Sequence, residues 1–412
     1  MNNDMDNARR SFIRAGAIGS AGILLAACGG GNTPGNVPGN ALANGPSNTP
    51  GPGGETSDVP DGPERLDRLG VVVGGGKAKD ENGEIAFFVG VNNLDALKPE
   101  AKPIGEIGFL GHGFTPRLDK PHIVLITEKH GQGCLELDLN AGKILRRVKA
   151  GEGREFYGHS AFSPDGKLWY CTEANTEDGS YDGVLAVRDA ASLELRDKTF
   201  PTHGVSPHDC ILIDDGDTLV ITNGGGPVSA ADAPACVAYV NVKTGEARKV
   251  LKFKDNKINA GHITMTSRGE LVCVSAPREG IANTSDDWRG AITFYHPDKD
   301  QFVTADDPIR QKMKGETLSV AIHEETMVVG ATNPSGDLVT FWDFKTGKLI
   351  KAITDLLWPR GISLTLDGRW FVVTHDQATH MTLINAQTLV PQDKPIVDMS
   401  YIAGSHNFVF DL

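Results

Sequence analysis

The sequence predicts an all-β fold, a seven-bladed β-propeller closed by pairing the two ends of the chain. Three observations carry this. From Leu66 onward, short runs rich in Val, Ile, Leu and Phe alternate with turn residues, and no stretch keeps a helical period. A four-strand grammar recurs, clearest in "YGHSAFSPDGKLWYCTEAN" followed by "GVLAVRDAASLEL". The first-strand starts, Gly111-His112, Gly158-His159, Pro207-His208, Gly261-His262, Leu318-Ser319, Arg360-Gly361 and Ser405-His406, lie roughly 40 to 57 residues apart, the period of a propeller blade.

Each blade can be justified in order. Blade 1 opens at "GHGFTP" and closes its third strand with "ELDLNAGKIL"; blade 2 opens at His159 and turns through S-P-D-G. Blade 3 opens at "SPHDC" and closes through "YVNVKTGEAR", blade 4 opens at "GHITMTSRGEL", and blade 5 closes through "FWDFKTGKLI". The Asp or Asn that begins these closing turns caps the backbone, and the Gly supplies a positive φ. Six complete units fit between His112 and Ser405. The lone C-terminal run "HNFVFDL" then supplies the inner strand, and "LGVVVGGG" with "EIAFFVGVN" the next strands, of a seventh blade, so the ring closes without long edges. The propeller is expected to occupy residues 66–412.

The first 28 residues read as an address rather than as part of the fold. "ARRSFIRAGAIGSAGILLAAC" sets Arg9 and Arg10 before a small-residue apolar run ending at Cys28. Residues 29–65, with Gly, Pro or Asn throughout and few apolar side chains, read as a disordered tether. "RRSFIR" resembles a twin-arginine export signal, and Leu25 to Cys28 resemble a lipobox, with Cys28 the lipidated residue. That resemblance implies a domain on the periplasmic side of a bacterial envelope, held to the membrane only through a lipid anchor.

A formal net charge of −13 with no dense basic tract argues against nucleic acid as a partner. No run of about twenty apolar residues is present. Five cysteines follow Cys28, at positions 134, 171, 210, 236 and 273, without metal or redox spacing; they read as small buried hydrophobes. "VVVGGG" and "TNGGGP" lack the context of phosphate loops and read as turns.

The candidate site is a series of histidines. His112, His159, His208, His262 and His406 all stand at the starts of innermost strands, which surround one mouth of the central channel, on blades 1 to 4 and 7. Blades 5 and 6 offer Ser319 and Arg360 instead, and Arg360 is a candidate anion-binding residue. Second strands return to the same face, so Glu128, Glu173 and His375 are candidate additional ligands, with Asn223, Asn333 and Asp376 at matching positions. His203 adds an imidazole in the loop before His208. Imidazoles with carboxylates suit iron, zinc or copper. A structural reading stands beside this one: in WD-type blades a Gly-His pair makes a structural hydrogen bond with a downstream Trp-Asp. Here the clear Trp-Asp, Trp342-Asp343, sits in a blade that lacks the histidine. His122, His130, His296, His323 and His380 fall outside the register and read as surface or turn residues.

From Gly111 to Asp376 the motifs "GHGFTP", "EFYGHSAFSPDGKLWYCTEAN", "THGVSPHD", "TLVITNGGG", "GHITMTSRGEL" and "FWDFKTGKLI", with the export signal, resemble an uncharacterised bacterial family. Its members are exported β-propellers of unknown function within the quinoprotein-dehydrogenase-like and WD-like superfamily. The lipobox, the tether and the tail after Asp376 depart from its pattern. Members tend to occur beside imelysin-like and di-haem oxidoreductase-like proteins linked to iron acquisition. The resemblance thus implies an envelope role in handling iron or another transition metal, with proteins of a metal-uptake system as partners and the chain itself a monomer. Two alternatives stay open: a metal-dependent enzyme, lactonase-like or an oxidoreductase subunit, with Glu128 or Glu173 as base; and an interaction scaffold whose histidines are structural.

Overall fold

A computed structural model describes residues 67–79, 83–376, 380–404 and 406–412. The expected export signal, Cys28 and the expected tether lie outside the described residues. Among the described residues, 67–77 with 87–412 group as one compact unit, and 78–79 with 83–86 group in another.

Seven antiparallel sheets form the propeller. Blade 1 runs Gly113–Pro116, Ile123–Thr127, Gly133–Asp138 and Lys143–Lys149, each strand pairing with the next. Blades 2 to 5 repeat that order, beginning with the inner strands Arg154–Phe162, Pro207–Ile213, Ile263–Met265 and Val320–His323. Blade 6 has three strands, Ile362–Leu364, Trp370–His375 and His380–Asn385, with a fourth edge reduced to the bridges Met381–Val397 and Ile384–Pro391. Blade 7 is the expected clasp: Phe408–Phe410 pairs with Val71–Lys79 in the register Val71 to Phe410, Val72 to Val409 and Val73 to Phe408. The other helical pieces among the described residues are three short 3₁₀ turns, so no helix there is long and apolar enough to cross a membrane.

The core lies between blades. Val71, Val73 and Val89 of blade 7 pack on Phe114, Val124, Ile126 and Leu135 of blade 1, and corresponding sets fill the other gaps. This is why inner strands are apolar on both faces. Outer strands instead alternate, as in "KILRRVK" at Lys143–Lys149, where charged side chains face water and protect the edge from further pairing. The closing turns have the expected chemistry: Asp138 Oδ1 accepts from the amides of Asn140 and Ala141, at 3.0 and 2.9 Å, and Gly142 takes φ 63°. Blades 2 and 6 put Leu193 and Leu389 at that left-handed position, and burial of both leucines offsets the strain.

Several expectations are corrected. Gly74–Gly76 is strand rather than turn, and glycine stands there because an added Cβ at Gly75 would lie 2.1 Å from the Gly111 carbonyl oxygen. His323 is buried at the end of the blade 5 inner strand, its Nδ1 2.7 Å from Thr326 Oγ1. The loop after "TNGGGP" is held by one guanidinium: Arg278 donates to the carbonyls of Gly226, Pro227, Ala230 and Ala233 at 2.9 to 3.2 Å. All five of these cysteines are buried, as expected, and all five are free thiols.

Candidate metal centre

Five imidazoles meet on the propeller axis. His112 and His262 directly precede the inner strands of blades 1 and 4, and His406 stands two residues before that of blade 7. His159 and His208 lie inside theirs, where β-bulges break the register between Cys171 and Glu173 and between Pro207 and Cys210. Such a bulge re-aims a side chain that strict alternation would send elsewhere. Gly158 allows the close approach: at φ 153°, an added Cβ would lie 2.7 Å from both Nδ1 and the carbonyl oxygen of His208.

The ligand atoms of His112, His159, His208 and His262 lie within 4.8 Å of one another, and all four side chains are buried. His112 Nε2 is 3.3 Å from His208 Nε2 and 3.4 Å from His262 Nε2. Two ligands about 2.1 Å from one tetrahedral ion sit roughly 3.4 Å apart. His262 Nε2 is 2.6 Å from the Nε2 atoms of both His208 and His406, closer than two ligands of one ion.

The tautomers follow from the outer partners. His208 Nδ1 lies 2.8 Å from the Tyr157 carbonyl and His262 Nδ1 2.6 Å from the Leu318 carbonyl. A carbonyl only accepts, so both Nδ1 atoms carry the hydrogen, and in the neutral rings both Nε2 atoms present bare lone pairs. These two lone pairs face each other at 2.6 Å. Burial holds both imidazoles well below the ordinary histidine range, and Lys129 and the neighbouring imidazoles push the same way. A neutral pair in this geometry is repulsive, and a cation bound by both nitrogens, with the rings parted to ligand spacing, relieves it.

His159 shows the same need. Its Nδ1 faces Asp209 Oδ1 at 3.6 Å, while its buried Nε2 has no hydrogen-bond partner. Asp209 is itself fixed by the amides of Cys210 and Ile263, at 2.8 and 2.9 Å. A carboxylate behind an imidazole whose far nitrogen is orphaned is a common outer shell of a metal ligand. On blade 5 Ser319 replaces histidine, its Oγ 3.3 Å from His406 Nδ1. The residues present therefore fit a nitrogen-preferring transition metal such as iron, zinc or copper.

The other candidates are not brought to the cluster. Glu173 is fully buried and bound by Arg188 at 2.7 Å and Arg154 at 3.3 Å. Glu128 accepts from the Gly133 amide at 2.9 Å, and burial raises its carboxyl above the usual range. His375 bonds Thr382 Oγ1 at 2.9 Å and is lowered to about 4, by burial first and His380 second. His203 ends an outer strand, with its Nε2 2.7 Å from the Gly245 carbonyl. Asn223 and Asn333 are buried against backbone of the preceding connection, through Thr202 O and Glu316 O. The reason is common to the second strands: successive side chains leave opposite faces. Thr127, Thr172, Thr332 and Thr374 face the inner-strand starts, and their successors Glu128, Glu173, Asn333 and His375 therefore face away.

Those threonines and Asp209 escaped the sequence reading. The threonines were legible, since Thr127, Thr172, Thr222, Thr332 and Thr374 each follow an apolar run at one blade position. Thr127 Oγ1 donates to the Gly158 carbonyl and Thr172 Oγ1 to that of His208, at 3.2 Å for the latter, tying each blade to the next. Asp209 adjoins His208, yet only the bulge turns both toward the axis.

The WD-type arrangement is not formed. Trp342 Nε1 is buried without a partner, and Asp343 caps its own turn by accepting from the Thr346 amide at 2.7 Å.

Comparisons with known proteins agree with the architecture. A chain titled Kuenenia stuttgartiensis hydrazine synthase superposes with a TM-score of 0.56 at 13% identity, covering 80% of this chain and 99% of that one. A dihydro-heme d1 dehydrogenase NirN in complex with DHE gives 0.51 at 13%, covering 79% and 67%, and a chain of a mitotic checkpoint complex gives 0.53 at 10%, covering 74% and 88%. At such identities the likeness concerns fold alone. No curated protein sequence matches. Residues 106–400 match the family described as "Protein of unknown function (DUF1513)", and on that span, which holds every blade but the clasp, the chain belongs to the DUF1513 family.

Proposed function

We propose that this protein binds a transition metal ion among His112, His159, His208, His262 and His406, and that it serves as an accessory in acquiring or handling that metal, with iron first among the candidates, on the periplasmic side of a bacterial envelope. The observation that carries the metal is the His208–His262 contact: two lone-pair nitrogens 2.6 Å apart, with both rings locked by carbonyls behind them. A second support is the orphaned Nε2 of His159. Iron and the envelope rest on the export-like N-terminus and the family resemblance.

The enzyme reading loses one of its two candidate bases, because Glu173 is paired with Arg188 and Arg154. A binding role needs no such group.

Elemental analysis of protein purified without chelator tests the metal. The expected result is a near-stoichiometric metal in the natural chain, and below about a tenth of that in a His159→Ala/His208→Ala variant that still melts cooperatively. Metal-free protein in both cases, after loading with Fe²⁺, Zn²⁺ and Cu²⁺ in turn, would return the histidines to a structural role.

A further inference from the structure

Three cationic side chains lie around the same pore mouth. The segment Lys129–Gly131 adds a fifth strand to blade 2 on the axial side of its innermost strand, with Lys129 opposite Tyr157. That carries Lys129 further inward than a four-stranded blade reaches, beside the residue whose carbonyl anchors His208. Arg360 stands at the inner-strand start of blade 6, directly before Gly361, its Nε donating at 3.0 Å to the Gly404 carbonyl, two residues before His406. Lys77 lies two residues beyond Gly75, whose carbonyl accepts from the amides of Ala403 and Gly404 at 2.9 and 2.8 Å.

Among the described residues, none of the three forms an ion pair. Glu316 is near enough to act on Lys129 and Arg360 but is bonded to neither. Lys129 and Arg360 are half-buried, so water compensates them only in part. Beneath them, the imidazoles bring no charge to a bound metal, and among the described residues Asp209 is the one carboxylate paired with a ligand ring. A multiply charged ion seated there would confront unpaired cations in a partly desolvated channel, an arrangement that costs free energy unless an anion enters too.

We propose that the metal and a small polycarboxylate bind this pore together, one carboxylate group on the ion and another on Arg360 and Lys129. The inference rests on the metal site proposed above. His112, His159, His208 and His262, the four whose ligand atoms lie within 4.8 Å of one another, leave two positions of an octahedral ion open when His406 stays outside its shell, and the guanidinium fork pairs with carboxylate through two parallel hydrogen bonds. Binding of the two is then reciprocal: each tightens the other by the same factor.

Equilibrium dialysis of the metal-free protein against Fe²⁺ under argon, at fixed free-metal activity, reads this directly, in chloride buffer alone, with citrate, and with inorganic phosphate. Citrate is expected to tighten iron retention by about tenfold or more, and phosphate less. Lys129→Gln/Arg360→Gln should lose the citrate gain, while Lys129→Arg/Arg360→Lys keeps it; near-UV circular dichroism establishes that each is folded. Equal iron retention with and without citrate overturns the coupled anion and leaves the metal site standing. A gain that survives in the glutamine variant overturns the assignment to Lys129 and Arg360, and an equal gain from phosphate overturns the carboxylate class. Iron retained under none of the conditions overturns both the anion and the metal.

Discussion

At the residue scale, the side chains that look most like ligands divide by what stands behind them. His208 and His262 have carbonyl acceptors behind Nδ1 and aim Nε2 at the axis, whereas Glu173 has two guanidiniums in front of its carboxylate. Arg188 also lies 5.4 Å from the Phe156 ring and 5.6 Å from that of Trp169, so the pair is enclosed by aromatic surface. Removing one partner of a buried pair leaves the other charge uncompensated. Glu173→Gln is expected to cost about 3–5 kcal/mol in urea unfolding, with metal content per folded molecule unchanged. Metal loss at intact stability would instead place Glu173 in the site.

At the element scale, bulges and threonine staples build the pore. The bulges in blades 2 and 3 turn His159 and His208 inward, and the Thr172 hydroxyl, 3.1 Å from the His159 carbonyl and 3.2 Å from that of His208, holds both bulged strands at once. Thr172→Val keeps the shape but leaves a buried carbonyl short of its donor. Unfolding free energy should fall by about 1–2 kcal/mol, and retention of metal should fall with it, because the staple sets the spacing of two ligands. A loss of stability without any change in metal affinity would show that the staple is only structural. The blade period, the closing turns and the clasp were all legible, since each depends on local alternation and turn chemistry. The fifth strand of blade 2 was not: "KHG" carries no strand pattern, and it pairs because the connection between the second and third strands of blade 1 lies against the inner strand of blade 2.

At the scale of the whole molecule, the ring gathers five imidazoles that the chain spreads over nearly three hundred residues. Burial lowers all five, and Lys129 adds to the effect on each; at His159 the Asp209 carboxylate opposes it, and Arg360 reinforces it at His406. A folded value below the unfolded one, near 6.5, means that the unfolded chain binds more protons in the window between them. Full stability is therefore present above about pH 6.5 and is lost as the pH falls, by up to about 1.4 kcal/mol per pH unit for each imidazole that titrates. Thermal melts of metal-free protein from pH 8 to pH 5 should show the midpoint falling below that pH, and the fall should be shallower with metal bound. A midpoint level across the range would contradict neutral burial of the cluster.

What the sequence by itself determined is everything with a short period: strands from alternation, turns from Asp, Asn and Gly, blades from their repeat, and a clasp from the unmatched ends. It also singled out the five histidines, because one position in a repeat maps to one place on a ring. Only the tertiary structure decided which neighbours joined them. Strand alternation turns Glu128, Glu173 and His375 away from the inner-strand starts, a bulge brings Asp209 behind His159, and an added strand sets Lys129 over the axis. Those outcomes depend on bulges and on contacts between blades, which join residues tens of positions apart and leave no local periodicity to read.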